Sequence, residues 1–403
     1  MSSNKKKYEL FEIIEFVKKE YKKGNKIGRK RLQKLFNLSE SDARKILNIV
    51  EYEIEMENNL EKFLSDKKLY YKTFSRKIDN FIRLATKHRN VASINKIDKK
   101  SKEENYTYLL LLSDWHIGEV VSEEEVSYSN KFDLEVATRR VELIYENIYE
   151  IVKADLDKHK KKKLDSLYVW LGGDMVSGII HNELEKTNQL TISDQVFITA
   201  QLLYYLLTDL LEIFKDLYII CSVGNHGRIT KKPEYKNKYN TFDYMLYKTL
   251  YVMFNSLDDK SKSRIHWYIS KELFSIVNIL GYNFVFSHGD TIRMWNNIPY
   301  YGIIRDLYSK QSISLTLNKG KIDYYVIGHF HTPSSLNVNG IYVIMNGSLK
   351  GIDEYSLAKG FISIPSQKLL KISSDRGLMI QYDLILTENT IYQKPKRYKI
   401  SII

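Results

Sequence analysis

The sequence predicts an α/β protein built in layers, with an all-helical region in front of it. Three observations carry that prediction. Downstream of Tyr106, short apolar runs of strand length alternate with longer runs of helical length. Upstream of about residue 50, apolar residues recur at helical spacing and no strand-like run interrupts them. Charge divides the chain near the same place: residues 1–103 hold 27 Lys and Arg against 15 Asp and Glu, and the remaining 300 hold 35 against 34.

Three helices are expected over 8–50. Leu10, Ile13, Ile14 and Val17 share a face of the first, Leu32, Leu35 and Phe36 of the second, and Ala43, Ile46, Leu47 and Val50 of the third. Gly24 and Gly28 break the first pair. Ser39, followed three residues later by Asp42, has the pattern of an N-cap with an acidic residue in the first turn. Helix, short helix, tight turn, helix is the outline of a helix-turn-helix unit, with Arg44 and Lys45 near the start of the helix that would enter a DNA groove. A plain three-helix appendage, packed on the body or on another subunit, fits the same pattern.

Residues 51–103 read as a long helix and a polar linker. The first part is acidic (Glu51, Glu53, Glu55, Glu57, Glu61) and the second basic (Lys67, Lys68, Lys72, Arg76, Lys77, Arg83, Lys87, Arg89). Such runs are ordinarily solvated helix faces. Lys96–Glu103 has the composition of a hinge. From Tyr106 the expected strands are Tyr108–Leu112, Leu167–Leu171, Leu217–Val223, Phe284–Phe286, Tyr324–Ile327 and Ile341–Ile344, with helices at 133–160, 194–215 and 241–256. The alternating stretch 377–403 is expected to supply edge strands.

Composition excludes several classes. Hydrophobic content of 43% and a mean hydropathy of −0.36 describe an ordinary soluble globular chain. No apolar run approaches the ~18–20 residues that span a bilayer, so no membrane is expected. Met1–Lys7 is charged with no apolar core after it, unlike a secretory signal. Cys221 stands alone in an apolar run, so it forms no internal disulfide and reads as a buried, inert thiol. Together these point to the cytoplasm. A near-neutral body with a basic arm suggests an arm that meets a polyanion. A general lysine bias would spread the charge evenly, and it is not spread evenly.

The chemistry is concentrated at strand ends. Asp114-Trp115-His116, Gly173-Asp174, Gly224-Asn225-His226, His288 and Gly328-His329-Phe330-His331 each follow an expected strand, and these segments hold five of the nine histidines of the chain. A polar side chain at the carboxyl end of a strand sits at the sheet rim, where loops from several strands converge. One histidine after a strand is ordinarily a hydrogen-bonded rim residue. Five clusters in order, with five of the nine histidines among them, are oxygen and imidazole donors enough for two divalent ions.

This series resembles the calcineurin-like metallophosphoesterase superfamily over about 104–350, and within it the DNA-repair nucleases of the SbcD type and similar phage-encoded enzymes. The resemblance implies a β-sandwich flanked by helices; taken with the patterning of the first hundred residues, the expected division is a helix-turn-helix-like DNA-binding region (1–52), a basic helical linker (53–103) and a catalytic domain (104–403). It implies that Asp114, His116 and His331 hold one metal, that Asn225, His288 and His329 hold the second, and that Asp174 bridges both. His226 would be no ligand; it would sit over the scissile phosphate and steady the transition state or protonate the leaving group, a task suited to imidazole. Two ions about 3.5–4 Å apart activate a bridging water as hydroxide and neutralise phosphoryl oxygens. The resemblance selects manganese, while the thiolate-free donor set also suits iron or zinc. Many members carry an acidic residue after Asn-His. Here Gly227 and Arg228 follow instead, so a carboxylate orienting His226 must come from elsewhere or be absent.

The loop Arg228–Lys238 is basic, and Arg228, Lys231 and Lys232 are candidate contacts to a phosphate backbone, against the reading of a solvated loop. Asn346-Gly347-Ser348 resembles a rim-shaping turn of the family. His181 reads as a surface histidine within reach of substrate, and most of the 31 tyrosines as core and composition bias, with some offering stacking faces to unpaired bases. The expected function is a two-metal DNA nuclease; the alternative is a phosphatase or phosphodiesterase acting on a phosphoprotein or small nucleotide, with the arm as an interaction module. A DNA-binding regulator that has lost activity is disfavoured by the full ligand set. SbcD-type nucleases work with a coiled-coil ATPase partner, but the tail 332–403 is short for the capping region they carry. A homodimer stays open.

Overall fold

The computed structural model describes residues 10–51, 53–54, 105–159, 163–256, 259–294, 299–387 and 393–400. The chain forms two compact units, Met1–Lys100 and Ser101–Ile403. The long helix and linker expected over 55–103 lie outside the described residues.

In the first unit, α1 (Leu10–Lys22), α2 (Arg29–Phe36) and α3 (40–51, with 53 and 54 also helical) enclose a small core of Ile13, Val17, Ile27, Leu32, Ala43, Ile46, Leu47 and Val50. Asn37 ends α2 in the left-handed conformation, at φ 54°. Ser39 caps α3 as its sequence predicts, accepting the Asp42 N–H at 3.1 Å. Leu35, expected on the apolar face, is half exposed: an eight-residue helix buries one stripe, and Leu32 fills it.

The second unit is a sandwich of two sheets between helical layers. Its strands are β1 (Tyr106–Leu112), β2 (Leu164–Leu171), β3 (Phe214–Cys221), β4 (Ile265–Ile269), β5 (Ser275–Ile279), β6 (Tyr282–Ser287), β7 (Tyr324–Ile327), β8 (Ser334–Val338), β9 (Ile341–Met345), β10 (Ser366–Ser373) and β11 (Gly377–Ile385). One sheet runs β11-β10-β1-β2-β3-β4 and the other β5-β6-β7-β9-β8. β1 to β4 are mutually parallel, and so are β6, β7 and β9.

Period-two alternation with both faces apolar explains the layering. Along β1, Leu109 and Leu111 enter the sandwich interior with Trp170, Ile220, Phe284, Phe286 and Val326. Tyr108, Leu110 and Leu112 face the opposite way, into a core with α4 (Leu134–His159), α6 (Ile192–Ile213) and α7 (Phe242–Asn255). The outer face of the second sheet packs on α9 (Tyr300–Thr316) through Ile303 and Leu307. Each such buried side chain contributes roughly 1.5–3 kcal/mol by leaving water.

Several elements differ from the sequence reading. α6 spans 192–213, two residues earlier than expected, because Thr191 caps it by accepting the Asp194 N–H at 3.2 Å. It is also long and apolar enough to cross a bilayer, which the reading of no membrane-length run passed over. Its Leu203, Leu206, Leu207 and Leu210 lie in the core, so its apolarity belongs to packing. β10 was missed because it buries Gln367 and Lys368, the latter paired with Asp383 of β11. α9 was missed for want of a clean period. β11 is the outer strand of its sheet, while 388–392 and 401–403 lie outside the described residues. Cys221 is buried, and burial pushes its thiol well above the usual range.

Candidate metal centre

Parallel pairing is what assembles the site. β1, β2 and β3 are neighbours in one sheet and end at Asp114, Asp174 and Asn225; β6 and β7 are neighbours in the other and end at His288 and His329. The carboxyl ends of both sets meet at one rim. Three overlapping groups of ligand atoms lie there, each within 4.8 Å: Asp114, His116 and His331; His116, Asp174 and His226; Asp174, His288 and His329. Asn225 joins the last group, its Oδ1 standing 3.2 Å from Nε2 of His288. Asp114, His116, Asp174 and His288 are buried, while Asn225, His226, His329 and His331 form the partly open lip.

The backbone is bent to do this. Asp114, His116, Asp174, His329 and His331 all have left-handed φ, between 51° and 68°. Each costs of order 1–3 kcal/mol and persists only where the surroundings over-determine it. The loops also approach too closely for side chains. A Cβ on Gly173 would run into the Gly224 backbone, and a Cβ on Gly224 into the Asp174 carboxylate.

Divalent ions fit this donor set. Nε2 of His116 faces Nε2 of His331 at 3.2 Å, and Oδ1 of Asp114 lies 3.4 Å from the latter. Burial, then the Lys350 charge, hold His116 well below the usual histidine range; a neutral imidazole lone pair pointing at another imidazole and a carboxylate is a ligand arrangement. Burial opposes charge on His288, yet the Asp174 carboxylate, 2.9 Å away, raises it to about 10. In the same pair Asp174, despite burial, is held well below the usual carboxylate range by His288 and then His226. That proton stands in for a cation between the carboxylate and the imidazole. His329 is pushed down to about 4 by burial and the His288 charge. The side chains are O and N donors with no thiolate among them, as suits manganese, iron or zinc rather than a structural zinc site.

His226 is oriented by a main-chain group. Its Nδ1 lies 2.8 Å from the Ser177 carbonyl, so Nδ1–H donates there and Nε2 is left for the site. Its own N–H donates to Oδ1 of Asp174 at 2.6 Å. The carboxylate missing after Asn225-His226 is thus replaced by a carbonyl. His181 stands beside it, ring centroids 5.5 Å apart. Of the candidate phosphate contacts, Arg228 donates from Nε to the Asn225 carbonyl at 3.1 Å, Lys231 turns back to Asn182, and Lys232 is exposed. Asn346 bonds Oγ of Ser113 at 2.9 Å, shaping the rim beneath Asp114.

Two carboxylates central to the site escaped the sequence reading. Asp243, in the first turn of α7, is buried and accepts the N–H groups of Asp174 (3.0 Å), Met175 (3.2 Å) and Gly224 (2.8 Å). Burial and the Asp174 charge push it up to about 7 against the pull of those N–H groups. In sequence Asp243 is an ordinary acidic residue after the Thr241 cap, so nothing marks it. Asp243→Ala is expected to lower the metal-free protein's unfolding temperature by ~6 °C in calorimetry, from roughly 3 kcal/mol for three orphaned buried N–H groups. Asp243→Asn, which keeps one acceptor oxygen, is expected to recover part of that.

Glu119 is the second. Its Oε2 stands 3.4 Å from Nδ1 of His116, and neither atom has a hydrogen-bond partner among the described residues. Its Oε1 pairs with the buried Lys350 at 2.8 Å, and Lys350 also pairs with Asp353; these two acids keep Lys350 charged despite burial. A carboxylate behind a ligating imidazole fixes its tautomer and basicity. Glu119→Gln is expected to weaken metal binding at one of two sites by ~10–100-fold in titration calorimetry. Equal affinities for variant and wild type would exclude that role.

A family model described as calcineurin-like phosphoesterase matches residues 107–333. The SPbeta prophage-derived uncharacterized protein YonJ of Bacillus subtilis (strain 168) is 26% identical over 294 residues, covering 70% of this chain and 65% of that one. This chain therefore spans less than two thirds of that relative's length. Among solved structures, Entamoeba histolytica Vps29 complexed with zinc aligns at 11% identity over 69% of this chain and 99% of that one, with a TM-score of 0.26. The hypothetical protein PH1004 of Pyrococcus horikoshii OT3 aligns at 9% identity over 71% and 90%, with a TM-score of 0.32. Likenesses this slight carry no argument.

Proposed function

The chain belongs to the calcineurin-like phosphoesterase family, and we propose that it is a two-metal phosphodiesterase whose substrate is DNA. The observation that carries the choice of DNA is the cationic surplus of residues 1–103 beside a near-neutral body. It is supported by α2 and α3 meeting across the tight turn 37–39, with Arg44, Lys45 and Asn48 exposed along α3. We propose kinship with SbcD-type and phage-encoded nucleases, in keeping with the prophage-derived relative. The proposed compartment is the cytoplasm, where a lone thiol such as Cys221 stays reduced.

Asp114, His116 and His331 would hold one ion, Asn225, His288 and His329 the other, and Asp174 both. A pair of divalent ions, proposed to be manganese, would neutralise phosphoryl oxygens and lower the pKa of a water so that it could attack as hydroxide. His226 acts from the rim. With Nδ1–H anchored on Ser177, the imidazolium form gives its Nε2 proton to the leaving oxygen and is left as the neutral Nδ1–H tautomer. Arg228, fastened to the Asn225 carbonyl, keeps its terminal nitrogens for substrate phosphate.

The test is cleavage of labelled single- and double-stranded DNA by the purified protein with manganese, beside turnover of bis(4-nitrophenyl) phosphate. DNA cleavage is expected to fall steeply with salt and to be lost when 1–103 are deleted, with the small diester spared by both. Turnover of the small diester without any DNA cleavage by the full chain would transfer the proposal to a phosphoprotein or small nucleotide.

A further inference from the structure

Beside the candidate ligands lies a cavity of about 270 Å³, of whose lining the mechanism above uses Arg228 alone. Its walls are the loop 228–241 and the segment 290–293. Each follows a candidate ligand directly: the first leaves from Asn225-His226, the second from His288. The first loop is closed at its base by an antiparallel bridge between Arg228 and Thr241. Lys238 and Asp290 form an ion pair across the walls at 2.9 Å, with side chains 10% and 9% exposed. That pair holds the two loops together and cancels its own charge.

What remains in the cavity is a specific mixture. Arg228 lends only Nε to the protein, and Arg293 has no hydrogen bond or ion pair among the described residues. Glu234, exposed at the mouth, is the one opposing carboxylate, so the unpaired charge is cationic. Tyr235 is 72% exposed and Ile229 49% exposed on the same lining. An exposed phenol ring on a lining that also carries two guanidinium groups offers a π-face and phosphate donors together, the combination used for unpaired bases. The volume suits one nucleoside rather than a larger ligand.

We propose that this cavity seats the nucleotide next to the scissile phosphate, with its base stacked on Tyr235 and its flanking phosphate gripped by Arg228 and Arg293. The proposal rests on the reading of the protein as a polynucleotide diesterase. It names single-stranded or frayed DNA as the form that reaches the metals, since a paired base has no free face.

The probe is a single-stranded oligonucleotide with phosphorothioate linkages and one 2-aminopurine, titrated into the full-length protein with manganese. Binding is expected to quench the fluorescence in the wild type and in Tyr235→Phe. In Tyr235→Ala the quench is expected to vanish and Kd to rise ~5–100-fold. Arg293→Ala is expected to raise Kd at least ~5-fold and to reduce the salt slope by about one. If wild type binds and cleaves the natural oligonucleotide and both alanine variants match it, the cavity assignment alone falls. If wild type hydrolyses bis(4-nitrophenyl) phosphate but has no affinity for the oligonucleotide, the polynucleotide reading falls and takes the cavity with it. Displacement of the probe by a phosphoserine peptide as readily as by unlabelled DNA would overturn the choice of a nucleotide.

Discussion

Alanine at Asp174 is expected to reduce phosphodiester turnover by ~10³-fold or more and to cut bound metal from two equivalents to at most one. Asp174 is the carboxylate shared by two of the three ligand groups. It lies in the group with His116 and His226 and in the group with His288 and His329. Metal neutralisation of phosphoryl charge is worth several kcal/mol, and ~4 kcal/mol corresponds to ~10³ in rate. Metal analysis of the purified variant, beside its turnover of bis(4-nitrophenyl) phosphate, is the check. Two equivalents retained with activity lost would show that Asp174 is no bridge.

The same variant has a pH signature without metal. His288 is raised from its ordinary 6.5 to about 10, so its pairing stabilises fully below about pH 6.5 and the benefit is lost as pH climbs through 10. Asp174 is lowered from its ordinary 3.8, so its share is present above about pH 4 and lost as pH falls through its folded value. The gap in unfolding temperature between metal-free wild type and Asp174→Ala is therefore expected to be widest between about pH 4 and 6.5. It should close toward pH 10. A gap independent of pH would mean that the pair is not charged in the way described.

Much of this architecture could be read from the chain because hydrophobic periodicity and motif position are local. β1 reads as a strand buried on both faces from Tyr106–Leu112 alone, and the ligand after it must then sit at a rim. The candidate ligands were readable for the same reason: each lies within four residues of the end of an apolar strand. What was illegible depends on partners distant in sequence. β10 buries Lys368 and Gln367, which only their pairing with Asp383 and the Ser113 backbone makes tolerable. Asp243 binds three backbone N–H groups 19 to 69 residues away, and no period or spacing announces such a contact. Glu119 stood closer to being found, three residues after His116, but its role is visible only with Lys350 behind it. The basic loop was legible as charge and not as shape. Its residues part company in space, with Arg228 bonded to the Asn225 carbonyl and Lys231 turned toward Asn182.

His226 carries the second large effect, and its size should depend on the leaving group. His226→Ala is expected to lower turnover of an oligonucleotide, whose leaving alkoxide needs a proton, by ~10²–10⁴-fold. A nitrophenolate leaves without one, so bis(4-nitrophenyl) phosphate should lose far less. The backbone N–H bond from residue 226 to Asp174 survives the substitution, and with His226 proposed as no ligand two equivalents of metal should remain; loss of one would make His226 a ligand, as its place beside His116 and Asp174 allows. The Ser177 carbonyl, unlike a carboxylate, adds no negative charge behind the ring. It fixes the ring's orientation and leaves Nε2 facing the site. Equal losses for both substrates would assign His226 to charge stabilisation of the phosphoryl oxygens, and no loss with either would remove it from the mechanism while leaving the metal centre as described.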